Sequence, residues 1–252
     1  MIFAECGLNH NGSVSYAKNY IQFHKQNNFD VLSFQIREPE FYLKKKFKHL
    51  KLQNSFYKYL SNYYKKEKDK KICISLSSIK TFNSIKKYKF DYYKILSIAA
   101  KDYRLINSIL KHTNSKIYIS CGLLKKNDLQ EVINKYKKNI RIKFIYTQLS
   151  YDKNDLNLLN LVDLNKKYPF KIAYGHHYLN LLPIFILQIF KNIDLFIYIK
   201  GEKKIKHADE KHALNFKKFT KLLLNLDEIK DIIGIKGKIV ANNTIPDQNE
   251  NE

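Results

Sequence analysis

Eight short runs of apolar, β-branched or aromatic residues recur along this chain, and a segment with helical spacing follows each run. The runs are Ile2–Glu5, Phe29–Gln35, Lys71–Ser77, Tyr92–Ser97, Lys116–Ser120, Arg141–Thr147, Phe170–Gly175 and Leu195–Gly201. Nearly continuous apolar character is typical of strands that are buried on both faces of a parallel sheet. Eight such strands alternating with helices predict a single-domain α/β fold of the (β/α)8 class, the TIM barrel.

The segments between the strands repeat apolar residues three and four positions apart, which indicates one buried helix face. Asp102 and Asn127 precede two of these stripes and are predicted N-caps. The last stripe, from Phe216 to Leu223, completes a count of eight helices. The interval between the second and third strands is the longest, and it is predicted to hold an additional helix over Ser55–Tyr64.

Glycines mark one end of the predicted barrel. Five of the seven glycines lie at or just after the carboxyl end of a predicted strand, namely Gly7, Gly12, Gly122, Gly175 and Gly201. Glycine suits places where the backbone turns sharply or approaches a ligand closely. Active sites of (β/α)8 barrels are built at this end, from the loops that follow the strands. We therefore expect the functional site there.

The barrel is predicted to span residues 1–240, and residues 241–252 are expected to form a flexible tail because they have little apolar surface to bury. The longest apolar stretch, Leu179–Phe190, has only 12 residues, which is too short for a membrane-spanning helix. The chain also begins without the basic leader of a secretory signal. A cytoplasmic location without a membrane partner is therefore expected.

The formal net charge of +23 suggests a polyanionic partner such as nucleic acid. Among the 46 basic residues, however, only Arg37, Arg104 and Arg141 are arginines, whereas base and phosphate recognition favours the planar guanidinium. The excess of lysine accompanies many Asn, Ile, Tyr and Phe residues, as an AT-rich coding sequence would produce. We therefore predict a solvated lysine surface and no nucleic-acid partner, with a functional polyanion site as the alternative.

The residues at the predicted strand ends form a polar set that suits an anion. Lys94 interrupts an otherwise apolar strand, and a charge at such a position needs a partner. A bound phosphate or carboxylate is the favoured partner, and an internal ion pair with Glu5 is the alternative. Ser97 and Ser120 would add hydroxyl donors. Because side chains alternate along a strand, Ser97 can share a ligand with Lys94 only if it lies beyond the regular pleat.

Histidines and acidic residues near the last two strand ends are possible metal ligands. His176 and His177 are neighbours on an extended segment, so they point to opposite sides and at most one is expected to bind a metal. The loop after the eighth strand adds further candidates for a site of nitrogen and oxygen ligands, which are Glu202, His207, Asp209 and His212. Their spacing does not select a particular set.

The segment from Ala4 to Gly12, with the sequence AECGLNHNG, resembles the AE-x-G-x-NH-x-G motif that opens the sialic acid synthase family. Further matches follow in order at Phe34-Gln35, Tyr93-Lys94-Ile95-x-Ser97, Ile119-Ser120-x-Gly122, Tyr151 with Asn157-Leu158, and Tyr174-Gly175-His176-His177. The resemblance covers roughly residues 2–226, nearly the whole predicted barrel, and no part of the sequence resembles the family's antifreeze-like C-terminal domain. Proteins of this family condense phosphoenolpyruvate with an N-acylated hexosamine to form nonulosonic acids.

The resemblance implies a transferase of surface carbohydrate biosynthesis with a divalent metal cofactor, Mn²⁺ or Mg²⁺. It implies that phosphoenolpyruvate is bound by Lys94, Ser97, Ser120 and Ser78. It places Asn9, His10, Asn11 and Tyr151 near the sugar as catalytic residues, and His177 on the metal. The implied partners are phosphoenolpyruvate and an amino sugar, with the chain in a homo-oligomer or in a complex with another synthase.

Two departures from the family pattern lie at the same end of the barrel. The lysine that precedes the Phe-Gln pair of strand two in the family is Ser33 in this chain. The family's second metal histidine, after strand eight, aligns with Gly201, and a short shift of the alignment does not restore it. The sequence therefore leaves two interpretations open, an active synthase or a catalytically degenerate homologue that serves as a binding or scaffold subunit.

Overall fold

The eight predicted strands form a closed parallel barrel in the computed structural model, which describes residues 1–169, 171–190, 193–202 and 205–234. The strands are β1 (Ile2–Gly7), β2 (Val31–Ile36), β3 (Lys71–Leu76), β4 (Tyr92–Ile95), β5 (Lys116–Ser120), β6 (Ile142–Thr147), β7 (Ile172–His176) and β8 (Asp194–Lys200). Each strand pairs with the next, and β1 also pairs with β8, which closes the sheet. The predicted (β/α)8 barrel is confirmed. The predicted tail, 241–252, lies outside the described residues.

Helices follow the strands and surround the barrel. Those in the described residues are α1 (Val14–Gln26), α2 (Pro39–Leu43), α3 (Asn54–Tyr64), α4 (Ile79–Ile85), α5 (Tyr103–His112), α6 (Lys126–Tyr136), α7 (Leu158–Lys167), α8 (Leu182–Leu187) and α9 (Phe216–Ile233). The predicted additional helix is confirmed as α3, whereas the short α2 and a two-residue strand, β9 (Leu214–Asn215), were not predicted. No helix in this part of the chain combines the length and apolar character needed to cross a membrane.

The two predicted helix caps have different outcomes. The Asp102 carboxylate accepts a hydrogen bond of 3.0 Å from the backbone N–H of Leu105, and so it caps α5 as predicted. The predicted cap at Asn127 is wrong. Helix α6 already begins at the preceding residue, and Lys125 takes the cap position without a side-chain hydrogen bond. The asparagine therefore lies in the first helical turn, where its side chain is exposed.

Alternate residues of each strand face the inside of the barrel, and near the amino ends of β1, β4, β5 and β8 these residues are aromatic. Phe3 stacks on Phe196 with 4.1 Å between ring centroids, and it meets Tyr92 and Tyr118 edge to face. The residues that point outward join the helices in one continuous apolar layer. The inward-facing residues form an apolar layer near the amino ends of the strands, and a second set of interior side chains, which is polar, lies closer to the carboxyl ends.

A buried carboxylate closes the base of the barrel. Asp194, the first residue of β8, is 5% exposed. It accepts hydrogen bonds from the amino terminus of Met1 at 2.9 Å, from the Tyr118 hydroxyl at 2.7 Å and from the Lys143 ammonium. Burial alone would raise the pKa of the Asp194 carboxyl, but the charges of the amino terminus and Lys143 hold it below its ordinary value. This cluster ties the amino terminus to β6 and β8.

Candidate active site

A polar layer lies inside the barrel above the aromatic base. It consists of Glu5, Ser33, Ser75 and Lys94, one side chain from each of β1 to β4, and each of these residues is at most 4% exposed. Glu5 follows Phe3 by two positions and Lys94 follows Tyr92 by two, so both point inward like the aromatic residues below them. The Lys94 ammonium donates to both oxygens of the Glu5 carboxylate, at 2.6 and 2.8 Å.

This ion pair is one of the two outcomes that were considered for Lys94. The favoured expectation, a bound anion as the partner, stays a prediction. The alternative, the pair with Glu5, is found. The physical reason is that β1 and β4 face each other across the interior, where an unpaired charge would be costly. An ammonium has three N–H donors, and Glu5 takes two of them. No other described residue accepts from the third, which remains available to an anion.

Asp209, in the loop after β8, brings a second carboxyl group to this layer. Its Oδ2 would lie 2.9 Å from a Cβ atom at Gly7, so the glycine is what allows the carboxyl to approach β1. Burial, and then the charge of Glu5, raise the pKa of Asp209 to about 7, although the charge of Lys94 opposes this shift. A carboxyl group that titrates near neutrality can hold or release a proton during a reaction. The sequence marked Asp209 only as a possible metal ligand.

The loop after β1 is anchored by Asn9, whose side chain is fully buried. Its Nδ2 donates to the Ile199 carbonyl oxygen at 2.9 Å, and its Oδ1 accepts from the backbone N–H of Asp209, also at 2.9 Å. The Tyr20 hydroxyl donates to the backbone carbonyl of the same asparagine. Asn9 thus connects β1 with β8 and positions Asp209, and it has no surface with which to contact a sugar.

The next residues of this loop also serve its structure. His10 is fully buried, its Nδ1 accepts from the backbone N–H of Gly12 at 2.9 Å, and burial lowers the pKa of the ring to about 3. Asn11 adopts a positive φ of 49° and donates to the Lys206 carbonyl oxygen. The expectation of direct sugar contact is therefore corrected for Asn9 and His10, whereas the side chain of Asn11 is partly exposed.

Gly12 gives a test of how this loop packs. Its φ is 71°, and a Cβ atom there would lie 1.8 Å from the backbone oxygen of His49. We expect Gly12→Ala to lower the free energy of unfolding by about 3 kcal/mol, because the strained φ and the overlap add. Gly234→Ala is the matched control, since Gly234 also has a positive φ but nothing within 4 Å of the added Cβ, and we expect about 1 kcal/mol there. Urea unfolding would measure both, and equal losses would contradict this packing.

Two of the three predicted phosphate-binding serines lie together. The hydroxyls of Ser97 and Ser120 are 2.8 Å apart. Strand β4 ends at Ile95, so Ser97 lies beyond the regular pleat, as sharing a ligand with Lys94 would require. Ser78 instead caps α4, where its hydroxyl accepts from the backbone N–H of Thr81 at 3.2 Å. Its hydroxyl is therefore already in use.

The neighbouring histidines after β7 point to opposite sides, as alternation predicts. His176 faces the outer layer beside Tyr174, with 3.4 Å between its Nδ1 and the phenol oxygen. His177 lies at the mouth, where its ring centroid is 5.4 Å from that of Tyr198 and 4.6 Å from that of His212. Burial is the main cause that lowers the pKa of His177 to about 2 and that of His212 to about 4, so both rings are neutral at physiological pH.

Tyr151 completes this side of the mouth. It is 39% exposed, and its hydroxyl lies 3.4 Å from Nδ1 of His212. The Lys211 ammonium lies 5.4 Å from the centroid of the Tyr151 ring. This tyrosine is thus accessible to a ligand entering from solvent, which agrees with its predicted place near the mouth.

The histidines at the mouth supply some, but not all, of the ligands that a divalent metal needs. The described ranges contain no group of three or more His, Cys, Asp and Glu residues placed to hold an ion. His177 and His212 supply two neutral imidazoles, the form that binds metals. Nε2 of His212 is buried and has no hydrogen-bond partner in the described part of the chain. An orphaned imidazole nitrogen beside a second ring is suited to a transition metal whose other positions are taken by water or substrate.

The chain is similar in sequence to known proteins over most of its length. The model of the NeuB family matches residues 15–238. An uncharacterized protein of Methanocaldococcus jannaschii is 23% identical over 248 residues, which cover 94% of this chain and 73% of that protein.

Solved structures share the barrel. The N-acetylneuraminic acid synthetase of Leptospira borgpetersenii, crystallised with citrate, has a TM-score of 0.82 at 18% identity and covers 96% of this chain and 87% of its own. The spore coat polysaccharide biosynthesis protein SpsE of Bacillus subtilis has a TM-score of 0.77 at 16% identity. The match covers 91% of this chain and 67% of SpsE. A truncated 3-deoxy-D-arabino-heptulosonate 7-phosphate synthase of Thermotoga maritima has a TM-score of 0.70 at 16% identity. The match covers 94% of this chain and 88% of the synthase. At these identities the likeness shows the fold.

Proposed function

Because this chain belongs to the NeuB family, as its opening motif predicted, we propose that it condenses phosphoenolpyruvate with an N-acyl hexosamine or a related aldose. The reaction would be a cytoplasmic step in the biosynthesis of nonulosonic acids for surface carbohydrates. The observation that carries the proposal is the group of Lys94, Glu5 and Asp209 inside the barrel mouth. It combines a fixed ammonium with a carboxyl group that titrates near neutral pH.

Phosphoenolpyruvate would bind through its negative charges. The third N–H of Lys94 is the donor for the phosphate or the carboxylate of the substrate, and the hydroxyls of Ser97 and Ser120 would add two more donors at the same end of the barrel. Arg37, which follows β2, lies close enough for its charge to lower the pKa of the Tyr198 phenol against the larger effect of burial, which raises that pKa. Its guanidinium is paired with Glu38 at 2.9 Å, and it would have to exchange this partner for the substrate to compensate for the lysine that Ser33 replaces.

The chemistry needs one new carbon–carbon bond and one cleaved carbon–oxygen bond. The methylene carbon of phosphoenolpyruvate attacks the aldehyde carbon of the open-chain sugar, and the aldehyde oxygen takes up a proton to become a hydroxyl. Water adds to the resulting cation and loses a proton, and inorganic phosphate leaves by C–O cleavage. A bound Mn²⁺ or similar ion would supply Lewis-acid polarisation of the aldehyde. We assign to Asp209 the movement of the proton lost by water, because its pKa is about 7.

A second candidate is a degenerate homologue that binds another synthase as a scaffold. Two observations favour it. Lys94 is already paired with Glu5. Ser33, at the position of the family's lysine, brings no charge to the interior, and its hydroxyl lies 3.2 Å from that of Ser75. Such a protein would form a stable complex with an active synthase and would bind no phosphoenolpyruvate.

The test of the proposal is incubation of the purified chain with phosphoenolpyruvate, Mn²⁺ and a panel of N-acyl hexosamines and related aldoses. We expect release of inorganic phosphate that depends on one of the sugars, together with a product whose mass equals the sum of both substrates and water less phosphoric acid. An active sialic acid synthase in parallel reactions validates the assay. Absence of phosphate release with every sugar would contradict the proposal, and calorimetry without detectable phosphoenolpyruvate binding would then favour the scaffold.

A further inference from the structure

We propose that His212, in the loop after β8, replaces the strand-eight histidine of the family and binds a divalent transition metal together with His177. The inference rests on the proposed function for the role of this metal, but the binding itself is a property of these two side chains. It differs from the family pattern, in which the second histidine follows strand eight directly, at the position of Gly201 in this chain.

No side chain fits at residue 201 in this structure. A Cβ atom there would lie 2.5 Å from the hydroxyl oxygen of Tyr16 and 2.8 Å from one of its ring carbons. Tyr16 is buried, and its hydroxyl is hydrogen bonded to Nε2 of His207 at 2.8 Å. A histidine at residue 201 would therefore collide with this tyrosine, so a second imidazole has to come from another part of the chain.

The other histidines of this region are committed elsewhere. His207 uses Nε2 for Tyr16, and its Nδ1 lies 3.1 Å from the Glu210 carboxylate. His10 is fully buried within the β1 loop, and His176 points to the outer layer between barrel and helices. Nε2 of His10 also lacks a partner among the described residues, but this ring is fully buried within its loop. His177 and His212 are the histidines that lie side by side at the mouth.

His177 and His212 approach each other at the mouth with 4.6 Å between ring centroids and 36° between ring planes. The buried Nε2 of His212 has no hydrogen-bond partner within the described part of the chain. A buried polar atom without a partner is costly, and a ligand shared with the neighbouring His177 ring would satisfy it. Rings this close can each direct a nitrogen at one ion, because metal–nitrogen bonds are about 2 Å long.

The type of ligand follows from the donors. Two imidazole nitrogens favour a first-row transition ion over Mg²⁺, which prefers oxygen. The remaining coordination positions are left for water or for substrate oxygens, since no third metal-binding side chain joins the pair in the described ranges.

Metal binding can be measured without turnover. Mn²⁺ titrations followed by electron paramagnetic resonance, and Co²⁺ titrations followed by visible absorption, would use wild type, His212→Phe, His177→Phe and His112→Gln. Phenylalanine keeps an aromatic ring in place but removes the ligand nitrogen. His112 is an exposed histidine at the end of α5 and serves as the control. We expect both phenylalanine variants to bind Mn²⁺ at least about tenfold more weakly, and the control to bind as wild type does.

The inference is overturned if His212→Phe binds Mn²⁺ as tightly as wild type, or if the folded wild type binds neither ion. Circular dichroism of each variant separates loss of a ligand from loss of the fold, and His177→Phe tests the same site from the β7 side. The proposed function has separate readouts, which are phosphoenolpyruvate binding and phosphate release. If wild type binds phosphoenolpyruvate and His212→Phe still binds the metal, only the role of His212 as a metal ligand is disproved. A chain that loses the metal on this substitution but binds no phosphoenolpyruvate disproves only the synthase assignment.

Discussion

Replacing Lys94 with methionine is expected to weaken phosphoenolpyruvate binding by about 100-fold, because the substrate loses its buried cationic donor. Methionine retains most of the length of the lysine side chain, so the cavity changes little, but it cannot donate a hydrogen bond. Isothermal titration calorimetry with phosphoenolpyruvate, in the absence of sugar, measures this effect directly. An unchanged dissociation constant would show that the substrate does not use this ammonium.

The same substitution leaves the Glu5 carboxylate buried without its partner, at 2% exposure. Removing one member of a buried ion pair costs about 3–5 kcal/mol, so Lys94→Met alone can lose binding through loss of the fold. The double variant Lys94→Met with Glu5→Gln removes both charges and controls for this. We expect the double variant to recover much of the stability without recovering phosphoenolpyruvate binding. Recovery of binding together with stability would contradict a direct role of Lys94.

Asp194→Asn is expected to lower the free energy of unfolding by about 3 kcal/mol at pH 7. The substitution leaves the amino terminus and Lys143 without the carboxylate that lies between them at the base of the barrel. Urea unfolding at neutral pH measures the loss. Asp128→Asn is the control, since Asp128 pairs with Lys101 at the surface, and such exposed pairs contribute at most about 1 kcal/mol.

The effect of Asp194 also has a defined pH dependence. Its pKa is lower in the folded than in the unfolded chain, so its contribution is fully present above the unfolded value of about 3.9. The contribution disappears as the pH falls through the folded pKa and the carboxylate becomes protonated. The stabilities of wild type and Asp194→Asn should therefore converge in acid, below about pH 4. A difference that stays constant from pH 7 to pH 3 would argue against this ion cluster.

The element order of the barrel was accessible from sequence because periodicity is a local property. A short run of β-branched and aromatic residues indicates each strand. Apolar residues three and four positions apart indicate the buried face of each helix. The cap at Asp102 was found in this way. The cap at Asn127 was misplaced because two polar residues precede the apolar stripe there, and local pattern does not choose between adjacent starts.

The candidate site was predictable in its position but less so in its contacts. Glycines and polar residues located it at the carboxyl end, and the opening motif identified the family. No pattern indicated that Asn9 and His10 are buried, since burial of a loop depends on the chain that folds over it. Likewise, the approach of Asp209 to β1 depends on the missing Cβ of Gly7, from a segment about 200 residues away.

By itself, the amino-acid sequence determined the eight-stranded barrel, the end of it that carries the polar side chains and the membership in the family. Only the tertiary structure decided that Lys94 pairs with Glu5 and that His212 meets His177. The physical reason is the closure of the sheet. Which side of a strand a residue takes follows from its neighbours along the chain, whereas its partner across the interior is set by strands and loops that closure brings together.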